Sequence, residues 1–400
     1  MTFCHGLVVT QVPLDWTFEA LVILATTSLL FMFLSKPRFE FSLRDRKGEI
    51  LFVCIMVLPF FFFALAEPLT AWDARSIWFS RGKLLFFANG LHYLPYNLAS
   101  LNFMAKDYPL FMSSLAATLM TPIHWWNEYF PKIILWIWMA QIIFAFFDFC
   151  RKPLSIAIWV SIYFYFCGEY MWNGYMDAYV AFFGLFGLTY LMNHVQTKDP
   201  LDLFAGASSL LVSAQIKNEG PVLSLLIFLI FFLWIFRKRI SLTVSWVRLG
   251  TFTVLLGLPI LAFWVTKKIW KIGNYLSEGF SWERTLHRAT NLDDISTLLK
   301  GILLPDRFRY TFTFLLFALV YTYFIRKISV GAEIKKIGLV GIVATAYIFV
   351  LLVVFLITPL NLKDHVAYAD RVSFPIYFFM IFIALWLLAP PTENRPAKLP

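Results

Sequence analysis

The chain has 400 residues, 60% of them hydrophobic and 14% charged, with a formal net charge of +10 and a mean hydropathy of +0.72. Soluble domains sit nearer half apolar and about a quarter charged. The polar residues here are too few to coat a globule of this size, so lipid is the expected solvent. The positive charge lies in short clusters between apolar runs, not along a basic stripe, which argues against a nucleic-acid partner and for a membrane-orienting signal.

A helix needs about 20 apolar residues to cross the hydrocarbon core. By that measure the expected fold is all-α and polytopic, one integral domain over 1–400, with about eleven transmembrane spans. In chain order they are 17–34, 50–66, 131–149, 154–171, 178–194, 201–216, 221–236, 246–266, 310–325, 337–358 and 373–389. The first run follows a segment without Lys or Arg, so no cleavable signal peptide is expected. The apolar run 109–120 is too short to cross and reads as a juxtamembrane or re-entrant helix, and 74–88 reads as amphipathic. Four scattered cysteines, Cys4, Cys54, Cys150 and Cys167, have neither disulfide-framework nor zinc-site spacing.

The connections fall into two alternating sets. One is basic: Lys36 to Lys47, Arg151–Lys152, Arg237–Lys238–Arg239, Arg326 to Lys336, and the tail with Arg395 and Lys398. The bias of Lys and Arg toward the cytoplasmic side places this set in the cytoplasm, with the N-terminus outside and the C-terminus inside. The other set, 67–130, 172–177, 217–220, 267–309 and 359–372, then faces outward.

The outward set holds the unusual residues. Asp73, in Trp72-Asp73-Ala74-Arg75, lies just past the second span, and it reads equally as a helix cap for 74–88 or as a functional acid. Asp107, in Lys106-Asp107-Tyr108-Pro109, stands where a cap for the short apolar helix is the simpler reading. Asp177, in Asn173-Gly174-Tyr175-Met176-Asp177, occupies a tight connection where a carboxylate needs a cation, a polar partner or headgroup water. Lys217 and Glu219 flank Asn218 in an equally tight connection; either they pair with each other, or Lys217 faces an anionic ligand that Glu219 orients. Before the last span come His365 and Arg371, suited to phosphate oxygens, although Arg371 is also placed to snorkel toward headgroups. The loop 267–309, with Lys267, Lys268, Lys271, Arg284, His287, Arg288 and Lys300, is expected to lie in part along the membrane surface or over a cavity.

The segments WDARSIWFSRGKLLFF, DYPLF, NGYMDAY, KNEG and HVAYADRVSFP occur in this order across 67–375. Together they resemble blocks of the GT-C type integral-membrane glycosyltransferases, nearest to bacterial relatives of the protein O-mannosyltransferases and the lipid A aminoarabinose transferases. The resemblance implies a bacterial inner-membrane enzyme that moves a sugar, with inversion, from a polyprenyl-phosphate donor to an extracytoplasmic glycan, lipid or protein. It implies Asp73 as the catalytic carboxylate of the first outer loop, near the acceptor, and Asp177 as a second carboxylate near the donor or a cation. Lys217, His365 and Arg371 would be the phosphate-facing groups, with Asp107 and Glu219 as further acidic residues. DYP stands where many members carry an HPP-like sequence, and no large soluble C-terminal domain like theirs is expected. The sequence requires no cofactor and leaves room for a divalent cation. A lipid-linked glycan transporter or flippase, or an O-antigen ligase or polymerase, is the alternative.

Overall fold

The structure is a computed structural model describing residues 47–89, 107–149, 153–237, 279–325, 333–359, 361–366 and 368–388, with positions 261, 264, 265, 267, 268, 272 and 273. The described elements are helical, and no strand occurs among the described residues. The first helices are α1 (Lys47–Ala66), a π-helical turn (Ala74–Trp78), α2 (Phe79–Phe87), α3 (Phe111–Met120), α4 (Ile133–Phe149) and α5 (Pro153–Cys167). Next come α6 (Asp177–Thr197), α7 (Pro200–Ile216), α8 (Glu219–Arg237), α9 (Trp282–Thr290), α10 (Leu292–Leu303) and α11 (Asp306–Val320). The chain continues through α12 (Glu333–Ile357), α13 (Leu362–Val366), α14 (Ala369–Val372) and α15 (Phe374–Leu388).

Three of the described helices are long and apolar enough to cross a membrane: Asp177–Thr197, Glu219–Arg237 and Ile337–Ile357. Leu51–Ala66, Phe130–Phe146, Leu201–Ile216 and Phe374–Leu388 are apolar but shorter. A helix of 15 to 17 residues rises only about 22–25 Å. The expected run 17–34 and most of 246–266 lie outside the described residues. Two expected spans are divided: 154–171 becomes α5 plus a 3₁₀ turn at Gly168–Met171, and 310–325 becomes α11 plus a π turn at Tyr321–Ile325.

Helices α6 and α15 form the centre. Helix α6 packs on α7, α8 and α15, and α15 also packs on α11 and α12. Both are apolar around nearly their whole circumference, as a helix enclosed by other helices must be. The outer helices are apolar on the side that faces away: Leu225, Phe228, Leu233 and Phe236 on α8 and Ile342 and Phe349 on α12 are exposed. Such continuous apolar surface is what a lipid-solvated protein presents and a soluble monomer avoids.

Two glycines set the close approaches that matter for the site. A Cβ on Gly220 would fall 1.9 Å from the Ser213 backbone oxygen, so only glycine lets α8 start so tightly against α7. Gly174 has φ +93°, and a Cβ there would meet the Ala74 Cβ at 2.5 Å. The turn before α6 is thereby pressed onto the π turn that follows Asp73.

The run expected to be juxtamembrane or re-entrant is a ten-residue helix, α3, that packs on α2 and is buried along nearly its whole length. In the loop expected along the membrane surface, α9 and α10 are amphipathic, with Trp282, Leu286 and Leu292 exposed. Their inner side has a structural role: Arg288 donates to the Thr358 carbonyl at 2.8 Å and so satisfies the C-terminal end of α12. Burial lowers the Arg288 pKa from its ordinary value.

Candidate functional site

Asp73 lies within a helical turn that begins upstream of it: its φ and ψ are −58° and −42°, and Arg75 N donates to Ala71 O at 3.0 Å. Its side chain makes no capping bond. The carboxylate is turned inward and receives Arg371 Nη2. The next five residues form the π turn, a wide and uncommon geometry found often at functional sites.

Asp177 is the first residue of α6 and is buried. Its two oxygens go to two cations. Oδ1 accepts from Lys217 Nζ at 2.7 Å, and Oδ2 accepts from Arg371 Nη2 at 3.2 Å. Lys217 is the extended residue between α7 and α8, with φ −150° and ψ 161°. That conformation directs the side chain inward, where Nζ also lies 3.7 Å from Glu219 Oε1. Burial lowers the pKa of this ammonium, but Asp177 and Glu219 outweigh it and hold it above the ordinary lysine value. The contact between Lys217 and Glu219 exists, yet Asp177 is the nearer partner.

The Arg371 guanidinium sits 4.0 Å from the centre of the Tyr175 ring. It joins the connection that follows α1 to the start of α6. Its neighbour Asp370 is paired with Arg307 and accepts from Tyr377 Oη at 2.9 Å. Arg307 in turn donates from Nε to the Phe166 carbonyl at 3.0 Å and lies 5.2 Å from the Tyr170 ring centre. Tyr170 and Tyr175 pack at 4.9 Å, so two guanidinium groups and two tyrosines form one ladder behind the carboxylates.

Asp107 does not cap α3, whose N-cap is Leu110 with no side-chain bond. Its carboxylate accepts from Asn218 Nδ2 at 2.9 Å, which ties it to the same α7–α8 connection as Lys217. Buried Arg81 holds the segment by donating to the carbonyls of Tyr108 at 3.0 Å and Pro109 at 3.3 Å. Burial lowers its pKa to about 10, opposed by Asp107, so it stays charged at neutral pH. The Tyr108 ring lies 5.9 Å from Lys217 Nζ, and burial together with Glu219 raises its phenol well above the ordinary value.

Asp73, Asp107, Asp177, Lys217, Glu219 and Arg371 therefore meet in one connected cluster. His365 lies in α13, and its side chain is outside the described residues. Tyr175, Arg307, Arg81 and Asn218 were not singled out from sequence. Arg307 carried a usable signal, being a cation at the start of an apolar helix on the expected outer side. Among the described residues no group of three or more His, Cys, Asp and Glu side chains could hold a metal ion. The other side of the Asp73 helix borders a cleft of about 700 Å³ lined by Trp72, Arg75, Ser80, Lys83, Glu128 and Tyr129, among others. Lys83 and Glu128 form an ion pair at 2.8 Å within it.

Comparison of the chain with protein families, curated proteins and solved structures finds no matching family model, no matching curated protein and no matching solved structure.

Proposed function

We propose that this protein is an eleven-span membrane glycosyltransferase that transfers a sugar from a polyprenyl-phosphate donor to an extracytoplasmic acceptor, with inversion. The observation that carries the reading is the meeting of Asp73, Asp177, Lys217 and Arg371. They come from four separate parts of the chain into one buried cluster at the ends of apolar helices. Buried ionisable groups in an apolar helical protein are costly and mark function. They sit at helix ends, Asp177 and Glu219 each being a first residue, which supports a site at a membrane face over a transport path through the midplane.

In the proposed reaction the acceptor hydroxyl attacks the anomeric carbon while Asp73 takes its proton. The bond from that carbon to the phosphate oxygen breaks, and its electron pair stays on the departing lipid phosphate. Arg371 and Lys217 stabilise the charge that develops there.

The test is sugar transfer by purified Asp73→Asn in lipid nanodiscs with a labelled polyprenyl-phosphate sugar. Loss of a general base costs about 10²–10⁴ in rate. Turnover should fall by that factor in a variant that keeps a native melting transition, because the amide oxygen introduced by the substitution still accepts from Arg371, which also keeps Asp177. Near-wild-type turnover in a stably folded variant refutes Asp73 as the base.

A further inference from the structure

In the ligand-free cluster two cations, Lys217 and Arg371, face three carboxylates, Asp73, Asp177 and Glu219. A phosphate entering this arrangement meets cations already occupied by carboxylates, which opposes binding. Hydrogen-bond geometry makes the conflict specific. A guanidinium grips an oxyanion with two prongs in either of two ways, Nε with Nη2 or Nη1 with Nη2. Both use Nη2, and Nη2 is the nitrogen bonded to Asp73 and Asp177. Its two hydrogens are already used, while buried Nε has no partner. Bidentate capture of a phosphate therefore requires one carboxylate to leave.

The structure selects which one. Asp177 is also bonded to Lys217 at 2.7 Å and is buried at the start of α6. Asp73 has Arg371 as its one side-chain partner among the described residues. Tyr175 holds the guanidinium by its face, so the donor edges stay in place when a bond is exchanged.

We propose that Asp73 is an internal competitor of the phosphate: it occupies Arg371 in the empty site, and phosphate displaces it. This rests on the reading of the cluster as a phosphate site and adds an order of events to it. The carboxylate that removes the acceptor proton is released from its guanidinium only when the lipid phosphate has arrived. The site then lacks a free base while it is empty, and donor binding and base activation are one step.

The experiment measures binding of farnesyl phosphate, and of inorganic phosphate in a second arm, to the full chain in nanodiscs. The proteins are wild type, Asp73→Asn, Asp73→Ala, Glu219→Gln and Arg371→Ala, each first checked for a native melting transition. Asp73→Asn should bind farnesyl phosphate about tenfold more tightly, which corresponds to about 1.4 kcal/mol, and Asp73→Ala should tighten it at least as much. Glu219→Gln removes equal charge without touching Arg371 and should tighten it less than about threefold, while Arg371→Ala should abolish it. The same ranking with inorganic phosphate locates recognition in the phosphate itself; a ranking seen only with farnesyl phosphate assigns it to the lipid-borne group. Unchanged or weaker binding in both Asp73 variants overturns the competition and leaves the phosphate reading standing. Equal tightening by Glu219→Gln also overturns it, since net charge would then account for the effect. No binding of either probe to any protein overturns the competition and the phosphate reading together.

Discussion

Removing one member of the Lys217–Asp177 pair tests whether the cluster is the buried, interlocked structure described above. Both side chains are at most 5% exposed, and the bond is 2.7 Å. Lys217→Met keeps the length of the stem and deletes the charge. Asp177 would keep Arg371 at 3.2 Å, and Glu219 would lose the cation 3.7 Å away. Breaking a buried pair from one side costs about 3–5 kcal/mol. The retained Arg371 bond puts Lys217→Met near the lower end of that range. Asp177→Leu leaves Lys217 with Glu219 alone and belongs near the upper end. The double variant leaves neither an uncompensated Asp177 nor an uncompensated Lys217, so its cost should fall short of the sum by about 1–3 kcal/mol. The assay is reversible unfolding in mixed micelles, read by near-ultraviolet circular dichroism. The pH dependence has a defined sign. The raised Lys217 pKa contributes stability that is fully present below the ordinary lysine value of about 10.4 and is lost as pH rises through the higher folded value. The difference between wild type and Lys217→Met should therefore be constant from about pH 7 to 10 on the lysine side of the pair. Single-variant costs below about 0.5 kcal/mol, typical of surface changes, or strictly additive ones, would refute the pairing.

The proposed sidedness predicts that a cysteine at Ser80, in the cleft lining, reacts with a membrane-impermeant thiol reagent in intact spheroplasts lacking the native cysteines, while one at Ser329 is protected; the reverse pattern inverts the topology. The tight start of α8 predicts that Gly220→Ala costs at least about 1–3 kcal/mol, the range for overpacking, because its Cβ meets backbone at 1.9 Å. Gly341→Ala, where a Cβ meets nothing within 4 Å, should be neutral or stabilising in the same melting assay.

Much of the helical content was legible in the sequence because it is written locally. Apolar runs mark α6, α8 and α12 nearly to their ends, since a helix that closes its own backbone hydrogen bonds needs no distant partner to be recognised. The same locality placed Asp73, Asp107, Asp177, Lys217, Glu219 and Arg371 in connections on one expected side of the spans. What each residue does there was not local. Asp73 and Asp107 both suited helix capping, a role decided within four residues, and neither serves it. The turn at Asp73 already begins at Ala71, and α3 starts after Leu110. The actual partners are remote: Asp73 and Arg371 lie 298 positions apart, Asp107 and Asn218 111, and Asp177 and Lys217 40. No periodicity or spacing rule reaches across such distances. The choice of Asp177 over Glu219 as the nearer partner of Lys217 depends on the close α7–α8 junction at Gly220 and on the turn at Gly174, which presses the start of α6 onto the helix of Asp73. Hydropathy determined the kind of helices and the connections that carry the ionisable residues; the packing of α6, α7, α8 and α15 decided which carboxylate neutralises which cation, because Coulomb energy depends on separation in space and not along the chain.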